Sequence, residues 1–101
     1  MPAGATNSFF VYVIKSLVSD FLYKGHCQDL ARRIDQHNSG MTKSLRPYLP
    51  FTLIYFEELP TRKDAVERER YFKSSAGRRF LKKKLAPYFN ARPTEPGKSE
   101  E

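Results

Sequence analysis

The stretch AVERERYFKS (65–74) carries two glutamates two positions apart in a segment with helical spacing. At about 100° per residue, Ala65, Val66 and Phe72 share one side of such a helix. Glu69 projects from among them, whereas Glu67 points the opposite way. A carboxylate inside an apolar stripe is costly to bury unless it is paired, hydrogen-bonded or bound to a metal. Two other patterns bear on the same chemistry. Arg33 and His37 stand one turn apart on an earlier helical segment and flank its apolar edge, while Arg32 points away. Between Arg68 and Lys84 the chain has eight Lys and Arg against one acid, Glu69 itself. A solvated helix face usually mixes signs, so this bias points to phosphates, and Lys43 and Arg46 in a middle segment extend the track.

The elements that must hold these residues follow from local patterning. FFVYVIKSLV (9–18) is rich in aromatic and β-branched residues and reads as a strand; FLYKGHC (21–27) is a second strand, joined to it as a hairpin through Ser19 and Asp20. DLARRIDQHNSG (29–40) is a short helix with Asp29 as N-cap, Gly40 just past its end, and Leu30, Ala31 and Ile34 facing inward. MTKSLRPYLP (41–50) reads as a basic loop and FTLIYFEEL (51–59) as a third strand. Thr61 and Asp64 signal the start of the helix that holds Glu69, and AGRRFLKKKL (76–85) is a final basic helix. The order is ββαβαα, an α/β fold with a small sheet that is antiparallel where the hairpin requires it. Residues 8–90 form the domain, and the polar tails 1–7 and 91–101 are expected to be disordered.

Composition narrows the function classes. With 101 residues the chain supports one domain and one modest core. Its formal net charge of +7 favours a polyanionic partner, nucleic acid ahead of an anionic membrane surface or a merely solubilising charge. Cys27 is the only cysteine, which excludes a disulfide within the chain and a Cys-based zinc site and fits a small core residue. Lys15 interrupts the apolar run from Phe9 to Val18 and no basic segment precedes it, which argues against a signal peptide or spanning helix. A cytoplasmic, reducing setting is expected.

VYV on the first strand, YKG on the second, Arg33 ten residues after Tyr23, and Glu69 in the later helix together resemble the GIY-YIG nuclease superfamily. The likeness is greatest to its small stand-alone members, which are similar to the nuclease module of the bacterial excision-repair endonuclease. It runs from Phe9 to Leu85, and its specificity lies in joint spacing and element order. The first motif keeps only its tyrosine, and the second has Lys24 in place of Ile. The resemblance implies a three-stranded antiparallel sheet flanked by helices and phosphodiester hydrolysis with one divalent cation, Mg²⁺ or Mn²⁺.

Residue by residue, the resemblance implies that Glu69 is the metal-binding carboxylate; the structural alternative is a Glu69–Arg33 ion pair across the core. Arg33 matches the catalytic arginine, whose planar guanidinium can hold two phosphate oxygens. Tyr12 matches the tyrosine that activates or positions the attacking water, and Tyr23 the one lining the scissile phosphate. For both, core packing with a satisfied hydroxyl is the alternative. His37 stands where relatives carry His or Tyr, and His26 where some carry a lysine. Lys24, His26, Lys43, Arg46, Arg68, Lys73, Arg78, Lys82 and Lys83 are the expected nucleic-acid contacts, with DNA ahead of RNA. Backbone contacts carry no sequence information, so binding is expected to be structure-selective or non-specific, with any further specificity supplied by a separate protein. A non-cutting accessory module of the same fold, or a basic scaffold that docks an acidic protein, is the competing expectation.

Overall fold

In the computed structural model, which describes residues 8–87, strand β1 (Phe9–Ser16) lies between β2 (Leu22–Cys27) and β3 (Phe51–Leu59), antiparallel to both. Helix α1 (Leu30–Asn38) follows β2, a 3₁₀ segment (Lys43–Tyr48) leads into β3, and helices α2 (Arg62–Lys73) and α3 (Ser75–Lys84) complete the chain. The three-stranded antiparallel sheet flanked by helices is the fold expected from the sequence. The tails 1–7 and 91–101, and residues 88–90 of the expected domain, lie outside the described residues.

As the central strand, β1 is covered on both sides, and Val11, Tyr12, Val13 and Ile14 are all wholly buried. Strand alternation deals them to two cores. Val11 and Val13 pack with Ile54, Phe72, Leu81 and Leu85 beneath α2 and α3. Tyr12 and Ile14 pack with Cys27, Leu45 and Phe51 beneath α1 and the 3₁₀ segment. The pairing of β1 with β3 slips between Val13 and Ile14, so that Ile54 is an extra residue and joins Tyr55 on the α2 side.

Local chemistry sets the boundaries. The first strand stops at Ser16, not Val18 as expected, because Ser16 Oγ accepts from Val18 N and donates to the Tyr48 carbonyl, turning the chain. Leu17 and Val18 are left exposed at the hairpin tip. Asp29 caps α1 by accepting from Arg32 N, and Gly40 follows the helix with φ +85°. Ala31, expected inside, is exposed, since α1 turns Leu30 and Ile34 to the sheet. Asn38 fixes α1 to β3: its amide donates to the Phe51 carbonyl (3.0 Å) and its carbonyl accepts from Phe51 N (2.7 Å). The stretch read as a loop contains the 3₁₀ segment, because Leu45 turns inward and is buried in the core. Thr61 caps α2 by accepting from Asp64 N. Ser74 ends α2 and caps α3, and Gly77 passes so close to the end of α2 that a Cβ there would lie 1.7 Å from the Tyr71 carbonyl oxygen.

Candidate functional site

Beneath α1, Tyr12 sits directly across from Gly25 in the β1–β2 pairing. A Cβ on Gly25 would fall 2.6 Å from Tyr12 Oη and 2.8 Å from Cζ, so the glycine of YKG makes room for the tyrosine of VYV. Tyr12 Oη lies 2.7 Å from Nε2 of His37, which is only 2% exposed. His37 Nδ1 in turn lies 2.9 Å from Thr42 Oγ1. Tyr23 closes the group, its ring 5.2 Å from His37 and edge-on to it. Burial raises the Tyr12 phenol above its ordinary range, with Tyr23 adding to the effect and the Arg33 guanidinium opposing it. Burial, and then Arg33, push the His37 imidazole down. Both groups are therefore neutral at pH 7. A neutral imidazole has one donor and one acceptor nitrogen. With the phenol donating to Nε2, the Nδ1–H donates to Thr42.

The other side of the sheet carries Glu69. Its Oε1 lies 2.6 Å from His26 Nδ1, and its Oε2 accepts from Lys73 Nζ at 2.6 Å. Burial opposes ionisation of Glu69, but the Lys73 ammonium and the His26 imidazole overcome it and hold the carboxyl below its usual range. The expected alternative partner, Arg33, is not the one found: His26 on β2 and Lys73 one turn along α2 take that place. Glu67 is exposed, as its helical position predicts. Lys24 shares this face, and burial followed by the charges of Arg78 and Lys73 push its ammonium down.

The site residues expected from the sequence thus divide. Tyr12, Tyr23, Arg33 and His37 gather on the α1 side, and Lys24, His26, Glu69, Lys73 and Arg78 on the α2 side. One member of each group, Arg33 and His26, lines a cleft of about 360 Å³ at the end of β2, an edge strand. Among the expected phosphate contacts, Lys43, Lys82 and Lys83 are exposed. Arg46 donates from Nε to the Gly40 carbonyl, and Arg78 from Nη1 to the Lys73 carbonyl.

Arg68, another expected nucleic-acid contact, has partners within the chain. It binds Glu57 through Nε (2.8 Å) and Nη2 (3.1 Å) and lies over the rings of Tyr71, Phe72 and Phe80, so it joins α2 to β3. Thr42 and Arg62, which also belong to the site region, were missed in the sequence. Thr42 is a loop hydroxyl with no pattern to mark it, and Arg62 is one basic residue at a helix start. Among the described residues no group of three or more His, Cys, Asp and Glu could hold a metal ion. One partly buried carboxylate still fits Mg²⁺ or Mn²⁺, which keeps several waters and completes its shell with substrate phosphates. Glu69 is the residue that would hold it.

Comparison with known proteins places the chain in a family. The sequence pattern of the GIY-YIG catalytic domain matches residues 8–84. A UPF0213 protein of Pediococcus pentosaceus is 36% identical over 81 residues, covering 76% of this chain and 84% of its own. UPF0213 protein YazA of Bacillus subtilis is 36% identical over 69 residues, covering 67% of this chain and 69% of its own. The solution NMR structure of a UPF0213 protein from Bacillus halodurans superposes with a TM-score of 0.50 at 28% identity, covering 83% of this chain and 93% of that one. The chain therefore belongs to the GIY-YIG family of nuclease domains, alongside the small stand-alone UPF0213 proteins.

Proposed function

We propose that the protein is a metal-dependent endonuclease that hydrolyses phosphodiester bonds, in DNA ahead of RNA, during repair or processing of branched or single-stranded structures. The observation that carries this reading is the 2.7 Å contact between Tyr12 Oη and His37 Nε2, two buried neutral groups with the charge of Arg33 close by. A phenol held above its usual range is a poor base by itself. Paired with a neutral imidazole, it can take a proton from water while its own proton passes to Nε2. The relay leaves a neutral phenol, an imidazolium and the hydroxide that attacks, and Arg33, facing the cleft, holds phosphate oxygens as negative charge builds on them. Tyr23 lines the phosphate. Glu69 would hold the divalent cation, Mg²⁺ or Mn²⁺, which when bound would neutralise phosphate charge and acidify water. Lys24, Lys73 and Arg78 offer positive charge on the Glu69 side, and Lys82 and Lys83 extend it along α3.

A second reading has an observation of its own. Both oxygens of Glu69 already hold groups from within the chain, which also suits a module that grips nucleic acid without cutting it. One experiment separates the two. The protein is incubated with labelled single-stranded, duplex, flapped and branched DNA and RNA, with Mg²⁺ or Mn²⁺ and with an EDTA control. Metal-dependent cleavage is the expected result; binding without cleavage of any substrate selects the accessory module.

A further inference from the structure

The cleft at the end of β2 has a lining that the hydrolytic reading does not use in full. Arg32, Arg33 and Arg62 reach it from the starts of α1 and α2, with the amides of Gln28 and Gln36 beside them and His26 at the edge nearest Glu69. Among the described residues none of these three arginines forms an ion pair, in contrast to Arg68, which is bound to Glu57. The one acid of the lining, Asp29, caps α1 through Oδ1. Arg62 is steadied by the Phe9 ring, 5.0 Å from the guanidinium carbon. Three guanidinium groups without carboxylate partners in one concavity form a site for an anion.

Size and the neutral donors refine the ligand. At about 360 Å³ the cleft lies at the small end of ligand pockets, which run from roughly 300 to 1,000 Å³. It suits one nucleotide and is too small for a duplex. A carboxamide offers both donors and an acceptor, which is what the edge of an unpaired base requires, and guanidinium planes stack on bases. A simple phosphate site would need neither glutamine. A base still in a duplex has to be unstacked first, at a cost of about a few kcal/mol that is lowest for nucleotides already unpaired.

We propose that this cleft binds one unpaired nucleotide of the substrate strand, with Arg32, Arg33 and Arg62 on its phosphate and Gln28 and Gln36 on its base. The proposal rests on the nuclease reading in that it places this nucleotide next to the phosphate to be cut, and it selects single strands, flaps and frayed ends over continuous duplex. Arg62 is exposed and Gln36 half-buried, so replacing them leaves the two cores intact.

Fluorescence anisotropy in EDTA tests it, with single-stranded and blunt duplex oligonucleotides of one sequence. Wild type should bind the single strand about tenfold more tightly or better, the equivalent of about 1.4 kcal/mol. Combining Arg62→Gln with Gln36→Ala should remove that preference and leave duplex affinity nearly unchanged. Gln28→Ala, at an exposed position, should act the same way more weakly. Equal binding of both forms by wild type, or a variant that loses both alike, overturns the proposal. Cleavage by the same proteins with Mg²⁺ is scored separately. A single-strand preference without any cleavage supports the cleft and defeats the nuclease reading; cleavage without a preference does the reverse.

Discussion

The two sides of the sheet hold their functional groups by opposite means. On the α1 side Tyr12 and His37 are buried and neutral, fixed by one hydrogen bond to each other, by Thr42, and by a glycine that admits the phenol. On the α2 side Glu69 is ionised and its side chain 19% exposed, and it is balanced by His26 and by Lys73, whose side chain is 54% exposed. Packing makes the first arrangement rigid, since moving either ring would open a void or a clash. Charge makes the second exchangeable, because a partly exposed ion pair contributes only about 0–1 kcal/mol and its members can change partners. Proton transfer tolerates little misplacement, and on the proposed reading it would fall to the rigid side. Cation binding requires partners to come and go, and on the proposed reading it would fall to the charged side.

The sharpest way to break this comparison is Glu69→Gln beside Glu67→Gln. If Glu69 holds the cation, the amide should reduce cleavage to background while nucleic-acid affinity stays the same or rises, because an anion that repels phosphate is gone. The exchangeable pairing also predicts that stability changes by no more than about 1 kcal/mol, read by urea denaturation. Glu67→Gln, at an exposed position on α2, should leave both cleavage and stability unaltered. Unfolding of the Glu69→Gln protein would show that the carboxylate is a structural group and that the α2 side is as rigid as the α1 side. Cleavage at the wild-type rate would remove Glu69 from the metal site.

Much of the rigid side is legible in the sequence, and less of the charged side. Strand alternation separates Tyr12 from Val11 and Val13, and the pairing of VYV with YKG follows from one short hairpin. Caps at Asp29, Thr61 and Gly40 obey local rules and stand where those rules put them. The partners of Glu69 are mixed: Lys73 is four residues ahead on the same helix, but His26 is 43 positions away and meets it only because α2 docks across β2. The partner of Arg68 is hidden in the sequence for a related reason. A count of cations treats each one alike, and only the placement of β3 brings Glu57 against Arg68. The two-sided layout itself depends on which face each helix covers, and local pattern does not encode that choice.

A smaller effect, on stability, probes the rigid side. His37 is held below its ordinary range, first by burial and then by Arg33, so the unfolded chain binds a proton more readily than the folded one. Its contribution is complete above the unfolded value of about 6.5. It is lost as the pH falls from there toward the folded value, since stability declines wherever unfolding takes up protons. Urea denaturation between pH 8 and pH 5 should show this loss, and His37→Gln should flatten it within that window. Glu57 and Glu69, whose carboxyls are also held low, contribute their own losses only at more acidic pH, below the ordinary carboxylate range. An equal slope in wild type and His37→Gln would mean that His37 takes up its proton as easily in the fold as outside it, and the α1 side would not be the sealed environment described.

The smallest effect concerns how far the charged side extends. Lys82, Lys83 and Lys84 form the last turn of α3, all exposed, on the helix that follows the one carrying Glu69. If nucleic acid runs from the Glu69 region along α3, each lysine neutralises about one phosphate and releases its counterion. Replacing all three with Ala should weaken binding alike for every sequence and reduce the slope of log affinity against log salt by at most about three. Single strand and duplex should lose affinity to the same degree, since these lysines touch backbone and read no base. The helix should persist, because Ala has the highest helix propensity and Leu81 and Leu85 still anchor it in the core. An unchanged salt slope would end the charged side at Lys73 and Arg78. A loss confined to single strands would instead tie α3 to the cleft at β2, and the two binding regions would then have to be treated as one.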